Sequence, residues 1–524
     1  MIEWVETAGG KGQTGAMGKK TLFLSVFSGV LLFLSFPKFD LSILVWFSLV
    51  PFFFALQKKS LGEAFWIGLV TGLAYNIGIL YWVSSVVVQY GYLPLYLGIF
   101  IMLLLALYLS LYVSLFSAGI VYLKKRGFPV ILVAPVLWSC LEYAKSHLLT
   151  GFPWENLAYS LHDMIPFIQI IDISGVYGLT FIIVFVNCVL YDVITMTIET
   201  RKRIMWELSI VAVAIILIFS YGVYRLEQLE HAMEGKKSDN VTIVQGNIDQ
   251  TLKWNNKYQN DTLEIYGNLS LANVKSGTRL IVWPETAAPF FFQNIDDKHR
   301  FVINIAKKAR AYLLFGSPSY RTENSMNYFS NSAYIISPAG AVIGRYDKMH
   351  LVPYGEYVPL RKVFFFLEKL VVGVGDFRSG KELTPLVMDG KKIGVLICYE
   401  GIFPEISRRY HTMGVSLLVN ITNDAWFGIS SAPYQHLTMT AFRAVENRLY
   451  IIRAANTGIS ALIKPTGEII SQTGLFERTI LDGTITYLNQ GTFYAGYGDI
   501  FIYMCFITIA VIGLNSLKRR SVDD

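Results

Sequence analysis

Long apolar runs fill residues 21–225 and 496–517, whereas residues 226–491 alternate short apolar runs with polar stretches as a globular domain does. The long runs fall at 21–36, 41–56, 62–88, 92–123, 128–148, 165–197, 204–224 and 496–517. A helix needs about 20 apolar residues to cross the hydrocarbon core, so the first two are short and the fourth is long. Together they predict about eight spans, seven before the polar segment and one after it. An even number puts both termini on one side. The polar, Gly-rich residues 1–20 read as a tail leading into the first span, because more spans follow and no cleavage site precedes a soluble chain. Residues 518–524 form a second, basic tail.

Within 226–491 the period shortens. Candidate strands are 241–247, 279–284, 311–316, 332–337, 392–398, 416–422 and 459–464, and several are continuously apolar, as strands covered on both faces are. Helical patterns fit 257–276, 296–310, 402–412 and 434–449. Strands alternating with helices predict an α/β sandwich. No repeat of 20 to 50 residues and no low-complexity tract occurs.

Charge decides the orientation of these parts. Only 16% of the 524 residues are charged and 53% are hydrophobic, well away from the quarter charged of an ordinary soluble chain. The net charge of +7 is not one basic patch, which argues against nucleic acid. It sits instead in clusters at alternate loops: Lys19 and Lys20, Lys58 and Lys59, Lys124 to Arg126, Arg201 to Arg203, and Lys518 to Arg520. The intervening loops hold only Lys38 and Lys145. That alternation follows the positive-inside rule and predicts an outward-facing domain over 226–491 with both termini inside.

Chemistry is expected where the domain's strands end. Of four cysteines, Cys140, Cys188 and Cys505 fall in apolar runs, and Cys398 alone lies in the outward domain. A lone thiol there cannot be a disulfide staple within the domain, and the four give no zinc spacing. It is either a small buried hydrophobe at a strand end or a nucleophile. A nucleophilic thiol needs a base, an oxyanion donor and a dry site. Glu285 follows Trp283-Pro284, and its pKa suits a base if burial raises it. Lys348 sits in an irregular loop rich in Gly, Pro and Tyr, and the backbone N–H of Tyr399 follows the thiol. On these residues alone a surface carboxylate and a solvated lysine remain equally open.

The motifs narrow the choice. WPET at 283–286, DKMHLVPYGEYVP at 347–359 and ICYE at 397–400 resemble the Glu–Lys–Cys triad motifs of the nitrilase superfamily, and in their longer forms those of its membrane-bound branch, the apolipoprotein N-acyltransferases. LKW at 252–254, NDAWFG at 423–428, NTGIS at 456–460 and TGFPW at 150–154 also match, and the seven-plus-one arrangement of spans is that family's. The resemblance implies Glu285 as general base, Lys348 as oxyanion stabiliser and Cys398 as acylated nucleophile. It makes Glu356 a supporting glutamate and Tyr399 and Glu400 neighbours required for activity. Trp254 would lie on a mobile arm over the entrance and Trp426 on a loop near it, with plain hydrophobic packing the alternative for both. It implies an α-β-β-α domain, no cofactor or metal, a phospholipid donor such as phosphatidylethanolamine, and diacylglyceryl-cysteine apolipoproteins as acceptors. A monomer in the bacterial inner membrane with a periplasmic catalytic domain is the expected setting. The tail 1–20 departs from the family pattern and makes Met17 a second candidate start.

Other patterns carry less. GDFRSGKE at 375–382 nearly matches a phosphate-binding loop, but Glu382 stands where a magnesium-binding hydroxyl belongs. No G-x-S-x-G elbow occurs. The seven histidines, His350 and His436 among them, show no ligand spacing, and a packing or surface role is expected of His350, with shaping of the lysine loop the alternative. A membrane-anchored amidase would use the same triad with water in place of the amine. A transporter would place ionisable residues inside spans, where only Glu63, Glu142 and Asp172 stand out. A binding protein with a dead site does not fit three intact motifs.

Overall fold

The computed structural model describes residues 17–272, 277–357, 377–488 and 490–519. Residues 1–16 and 520–524 of the expected tails, 273–276 of the helix expected over 257–276, 358–359 of the lysine-loop motif and 375–376 of GDFRSGKE lie outside the described residues.

Among the described residues, five helices are long and apolar enough to cross a membrane: Leu61–Leu80, Leu95–Lys125, Ile171–Ile194, Arg201–Met233 and Ile500–Lys518. The other expected spans are shorter or more polar. Lys19–Leu34 has 16 residues, which at about 1.5 Å each falls short of a core about 30 Å thick. The run 41–56 divides into a 3-10 turn, Ser42–Trp46, and a short helix, Val50–Ala55, that starts afresh with Pro51 in its first turn. Val130–His147 carries Glu142 and Lys145 in its second half. Arg201–Met233, by contrast, runs 33 residues and continues past the expected end at 224.

Small residues let these helices approach closely. Gly68 and Gly72 of Leu61–Leu80 face Ser110, Ser114 and Ser117 of Leu95–Lys125, and a Cβ on Gly68 would stand 2.6 Å from the Cα of Ser114. The three carboxylates that could have signalled a transport path are satisfied locally. Glu63 closes a capping box with Ser60. Glu142 accepts from Trp138 Nε1 at 3.0 Å, the Leu157 N–H at 2.8 Å and Thr180 Oγ1 at 2.8 Å. Asp172 accepts from Tyr221, Arg225 and Arg448.

Twelve strands follow: β1 Ser238–Gln245, β2 Thr278–Val282, β3 Tyr312–Glu323, β4 Met326–Ile336, β5 Val342–Asp347, β6 Leu386–Met388, β7 Lys391–Ile397, β8 Leu417–Thr422, β9 Ile451–Ala455, β10 Ala461–Ile463, β11 Ile469–Gln472 and β12 Thr479–Thr486. They form two six-stranded sheets, ordered β12-β1-β2-β3-β4-β5 and β11-β10-β9-β8-β7-β6. In each the three central strands run parallel, β1 to β3 and β7 to β9. Period-two alternation divides the core. Val241, Ile243, Leu280, Val282 and Leu314 face the second sheet, whereas Val244, Ile281, Leu313 and Phe315 face Leu263, Tyr266, Val302 and Ile305 of the helices Gln259–Ala272 and Asp297–Ala309. Pro404–Thr412 and Ala432–Asn447 cover the other side, completing the α-β-β-α sandwich.

The sandwich is continuous with the apolar helices. Tyr434 is half-buried and the other fifteen residues of Ala432–Asn447 are buried, although the helix is rich in polar residues. On one side His436 and Thr440 meet Arg453 of β9, and on the other the helix meets the helical bundle. Gln435 Oε1 accepts from Trp154 Nε1 at 2.9 Å and Trp82 Nε1 at 3.3 Å, while its Nε2 donates to the Pro37 carbonyl. Buried polar atoms must be paired; here the pairing ties the domain to the bundle.

Candidate active site

The three motif residues leave the fold at three strand ends. β2 delivers Trp283 into the outer core, and Glu285 follows in the turn. β5 ends at Asp347, and Lys348 begins the loop beyond it, its N–H held by the Asn331 carbonyl at 2.8 Å. β7 runs directly into the 3-10 turn Cys398–Ile402. Glu285, Lys348 and Cys398 are all buried.

Lys348 Nζ lies 3.0 and 2.9 Å from the two carboxylate oxygens of Glu356 and 3.9 Å from Glu285 Oε1. Asn331, on β4, stands between the two glutamates: its Nδ2 donates to Glu285 Oε1 at 2.6 Å and Glu356 Oε1 at 2.9 Å. The second oxygen of Glu285 is buried with no hydrogen-bond partner among the described residues. An unclaimed acceptor of this kind is available to take a proton. Glu356 also accepts from the Val352 N–H at 2.8 Å, which fixes the lysine loop.

Glu400 joins the lysine loop to the cysteine turn. One oxygen accepts from Tyr346 Oη at 2.8 Å and from the backbone N–H groups of Met349 at 2.7 Å and His350 at 3.0 Å. The other accepts from the Ile397 N–H at 2.7 Å. Burial pushes Glu400 above the usual carboxylate range while these donors pull it down. Four donors converging on two oxygens leave a carboxyl proton nothing to bond, so the carboxylate is the form this geometry holds.

Cys398 adopts the left-handed region, φ 53°. A residue with a side chain persists there only when its surroundings over-determine it, at roughly 1–3 kcal/mol. The surroundings are its carbonyl partners, Asn420 Nδ2 at 3.3 Å and His436 Nε2 at 3.2 Å. His436 is in turn held by Asp424, 3.0 Å from its Nδ1, and Asp424 by Arg453 at 2.7 Å. The strained turn puts the thiol at the end of the sheet and beyond the strand's own hydrogen bonds.

The charges of the site act on one another. Burial, opposed chiefly by Lys348 and assisted by Glu356, raises the Glu285 pKa above its usual 4.5. Burial and then the Glu285 charge push the Cys398 thiol up, against the pull of Lys348. Burial alone would lower Lys348, but Glu356, Glu285 and Cys398 together outweigh it and keep the ammonium charged. A resting thiol, a carboxylate of raised basicity and a fixed cation therefore lie within electrostatic reach of one another.

The remaining motif residues take varied places. The Tyr399 ring packs on Phe403 at 5.0 Å and near His350 at 5.9 Å. His350 itself lies 3.9 Å from Phe403, ring centre to ring centre, and burial then Lys348 draw its pKa down to about 4, so it packs uncharged. Trp254 is half-buried at the end of the short helix Gln250–Lys253. Trp426, also half-buried, stacks edge-on against Tyr90 of the helix Trp82–Gly91 at 4.5 Å, and Tyr90 Oη donates to the Ala425 carbonyl. Among the described residues no group of three or more His, Cys, Asp or Glu could hold a metal ion. Motif reading did not find Asn331, His436, Gln435 or Lys253. Asn331 lies one residue before the strand expected over 332–337, and Lys253 sits inside the LKW motif.

Residues 28–189 match the apolipoprotein N-acyltransferase N-terminal domain, and residues 240–489 match the carbon-nitrogen hydrolase family. The apolipoprotein N-acyltransferase of Geobacter metallireducens is 42% identical over 97% of this chain and 97% of its own length. That of Pasteurella multocida is 32% identical over 95% and 96%. Saccharomyces cerevisiae Nit3, a member of branch 10 of the nitrilase superfamily, superposes with a TM-score of 0.39 and 18% identity over 48% of this chain and 90% of its own.

Proposed function

The chain belongs to the apolipoprotein N-acyltransferase family, and from that premise we propose that it moves an acyl chain from a membrane phospholipid, through a thioester on Cys398, to the N-terminal amine of a diacylglyceryl-cysteine lipoprotein. The observation that carries this reading is the buried cluster in which Lys348 lies between Glu356 and Glu285, and Glu285 and Lys348 both act on the Cys398 thiol.

In the first half-reaction, the Glu285 carboxylate accepts the thiol proton as the sulfur attacks the ester carbonyl of the phospholipid. The Lys348 ammonium faces the oxyanion that forms. Collapse breaks the ester bond, the departing lysophospholipid alkoxide takes the proton back from Glu285, and the thioester remains. In the second half-reaction, the lipoprotein amine, with a pKa of about 8, attacks in its neutral form. Glu285 accepts its surplus proton, the amide forms and the thiol is restored. This is a ping-pong sequence. Glu356 and Asn331 hold the lysine and the base in place, Glu400 aligns the lysine loop with the cysteine turn, and Tyr399 supplies a buried wall. Trp254 and Trp426 line the substrate approach, and no cofactor takes part.

The membrane setting belongs to the same reading. The alternating basic clusters support about eight spans with both termini in the cytoplasm, a bundle over 21–225 and a closing helix over 496–517. The catalytic domain, 226–491, then rests on the periplasmic face of the inner membrane, where a phospholipid such as phosphatidylethanolamine reaches the thiol without its chain crossing water. The enzyme acts as a monomer. Mass spectrometry of the purified protein with phospholipid tests the chemistry. We expect a thioester on Cys398 that is absent from Cys398→Ala and discharged by a diacylated lipopeptide. An acyl-enzyme discharged equally well by water would replace transfer with hydrolysis.

A further inference from the structure

A second lysine enters the site from a direction the triad does not use. Lys253 is fully buried, which a lysine seldom is without a partner. Its Nζ donates to the main-chain carbonyl of Glu285 at 3.1 Å, and the charge it faces is that same Glu285. The segment that delivers it is pinned where its helix starts. Asp249 caps the short helix Gln250–Lys253 through the Thr251 N–H at 2.7 Å, and Gln250 Oε1 accepts from Asn423 Nδ2 at 2.6 Å, beside the turn that carries Trp426. The next residue after Lys253 is Trp254, half-buried at the edge of the domain.

We propose that Lys253 is a positioning residue that holds Glu285 at the thiol and ties it to the segment bearing Trp254. The hydrogen bond is to the backbone of Glu285, so it fixes the turn and leaves the carboxylate free to exchange a proton. The ammonium charge also favours the carboxylate form. Burial, opposed by Glu285, draws the Lys253 pKa down to about 7, so its support for that form fades as pH rises through neutrality. The other charged groups facing Glu285 are Lys348 and Glu356, beside the Cys398 thiol. Contact of a substrate with Trp254 thereby reaches the base through one covalent step and one hydrogen bond.

The inference rests on Glu285 being the base. It is tested with the full-length enzyme in phosphatidylethanolamine vesicles by following single-turnover thioester formation on Cys398 against pH, in Lys253→Met, Lys253→Gln and Glu285→Gln. Lys253→Met is expected to slow acylation about tenfold, the equivalent of one lost hydrogen bond to a charged group, and to move the acid limb of the profile to higher pH. Lys253→Gln keeps a donor without the charge, so it should recover part of the rate and retain the moved limb. Either variant decides the matter if only one folds. Wild-type rate and an unmoved acid limb, with Glu285→Gln inactive, would overturn the role of Lys253 alone. A slower rate with an unmoved limb would reduce Lys253 to packing and also overturn it. Wild-type acylation by Glu285→Gln would instead overturn the assignment of the base.

Discussion

Glu400→Gln is the substitution that most directly tests whether one buried carboxylate aligns the two halves of the site. Glu400 is fully buried and accepts four hydrogen bonds, three on the oxygen facing the lysine loop and one on the oxygen facing Ile397. Glutamine keeps one acceptor oxygen. Turned toward the loop, it retains those three bonds in neutral form and presents its NH2 to the Ile397 N–H, donor against donor. Losing a charge-assisted bond and stranding a buried N–H costs about 2 kcal/mol. Weakening three charge-assisted bonds to neutral ones adds roughly 0.5–1 kcal/mol each. The sum is about 3.5–5 kcal/mol, and the opposite amide orientation is worse because it sets the NH2 against three donors. If half of this falls on the acylation transition state, the rate drops about tenfold to a hundredfold. The assay is thioester formation on Cys398 by mass spectrometry, with thermal unfolding of the same samples to report the ground-state loss. Acylation within twofold of wild type by a folded Glu400→Gln would refute the idea that this strap sets the distance between lysine and thiol.

Other outcomes follow from the same geometry. Acylation should fall as pH falls through the raised Glu285 pKa, so the acid limb lies above 4.5; a limb at the ordinary carboxylate value would contradict the burial argument. By linkage a carboxyl whose pKa is higher folded than unfolded subtracts from stability once pH exceeds the unfolded value, so Glu285→Gln should lose acylation while melting at or above the wild-type temperature at pH 8. Lys348→Met leaves Glu285 and Glu356 without their cation and should destabilise by about 3–5 kcal/mol; adding Glu356→Gln should recover much of the stability and none of the activity, read as a double-mutant cycle. Gly68→Val forces a side chain against the Ser114 backbone and should lower the folded yield in detergent, whereas Gly62→Ala, with open space around it, should not.

What could be read without coordinates depended on how far each signal travels along the chain. All seven expected strands are present, several because burial on both faces marks the sequence locally. Four of the five strands that escaped notice, β5, β6, β11 and β12, are sheet edges, where a polar run such as TILDGTIT at 479–486 looks like loop. The fifth, β9, is central but carries Arg453, whose charge makes sense only once Asp424 lies beside it. The apolar run over 41–56 hid a break in its helix: its apolar residues persist, while Pro51 lies in the first turn of a new helix.

The same division holds at the site. Glu285, Lys348, Glu356, Cys398, Tyr399 and Glu400 were legible because each sits in a short motif whose residue types state a chemistry. The amino-acid order by itself determined the apolar and polar halves, the buried central strands and the candidate reacting groups, all properties of neighbours a few residues apart. Only the tertiary structure decided that Asn331 bridges two glutamates, that Gln435 joins the domain to the bundle, and that Lys253 reaches the back of Glu285. The physical reason is that a buried polar side chain must find its partner in space, and the partners here lie 25 to more than 350 residues away along the chain.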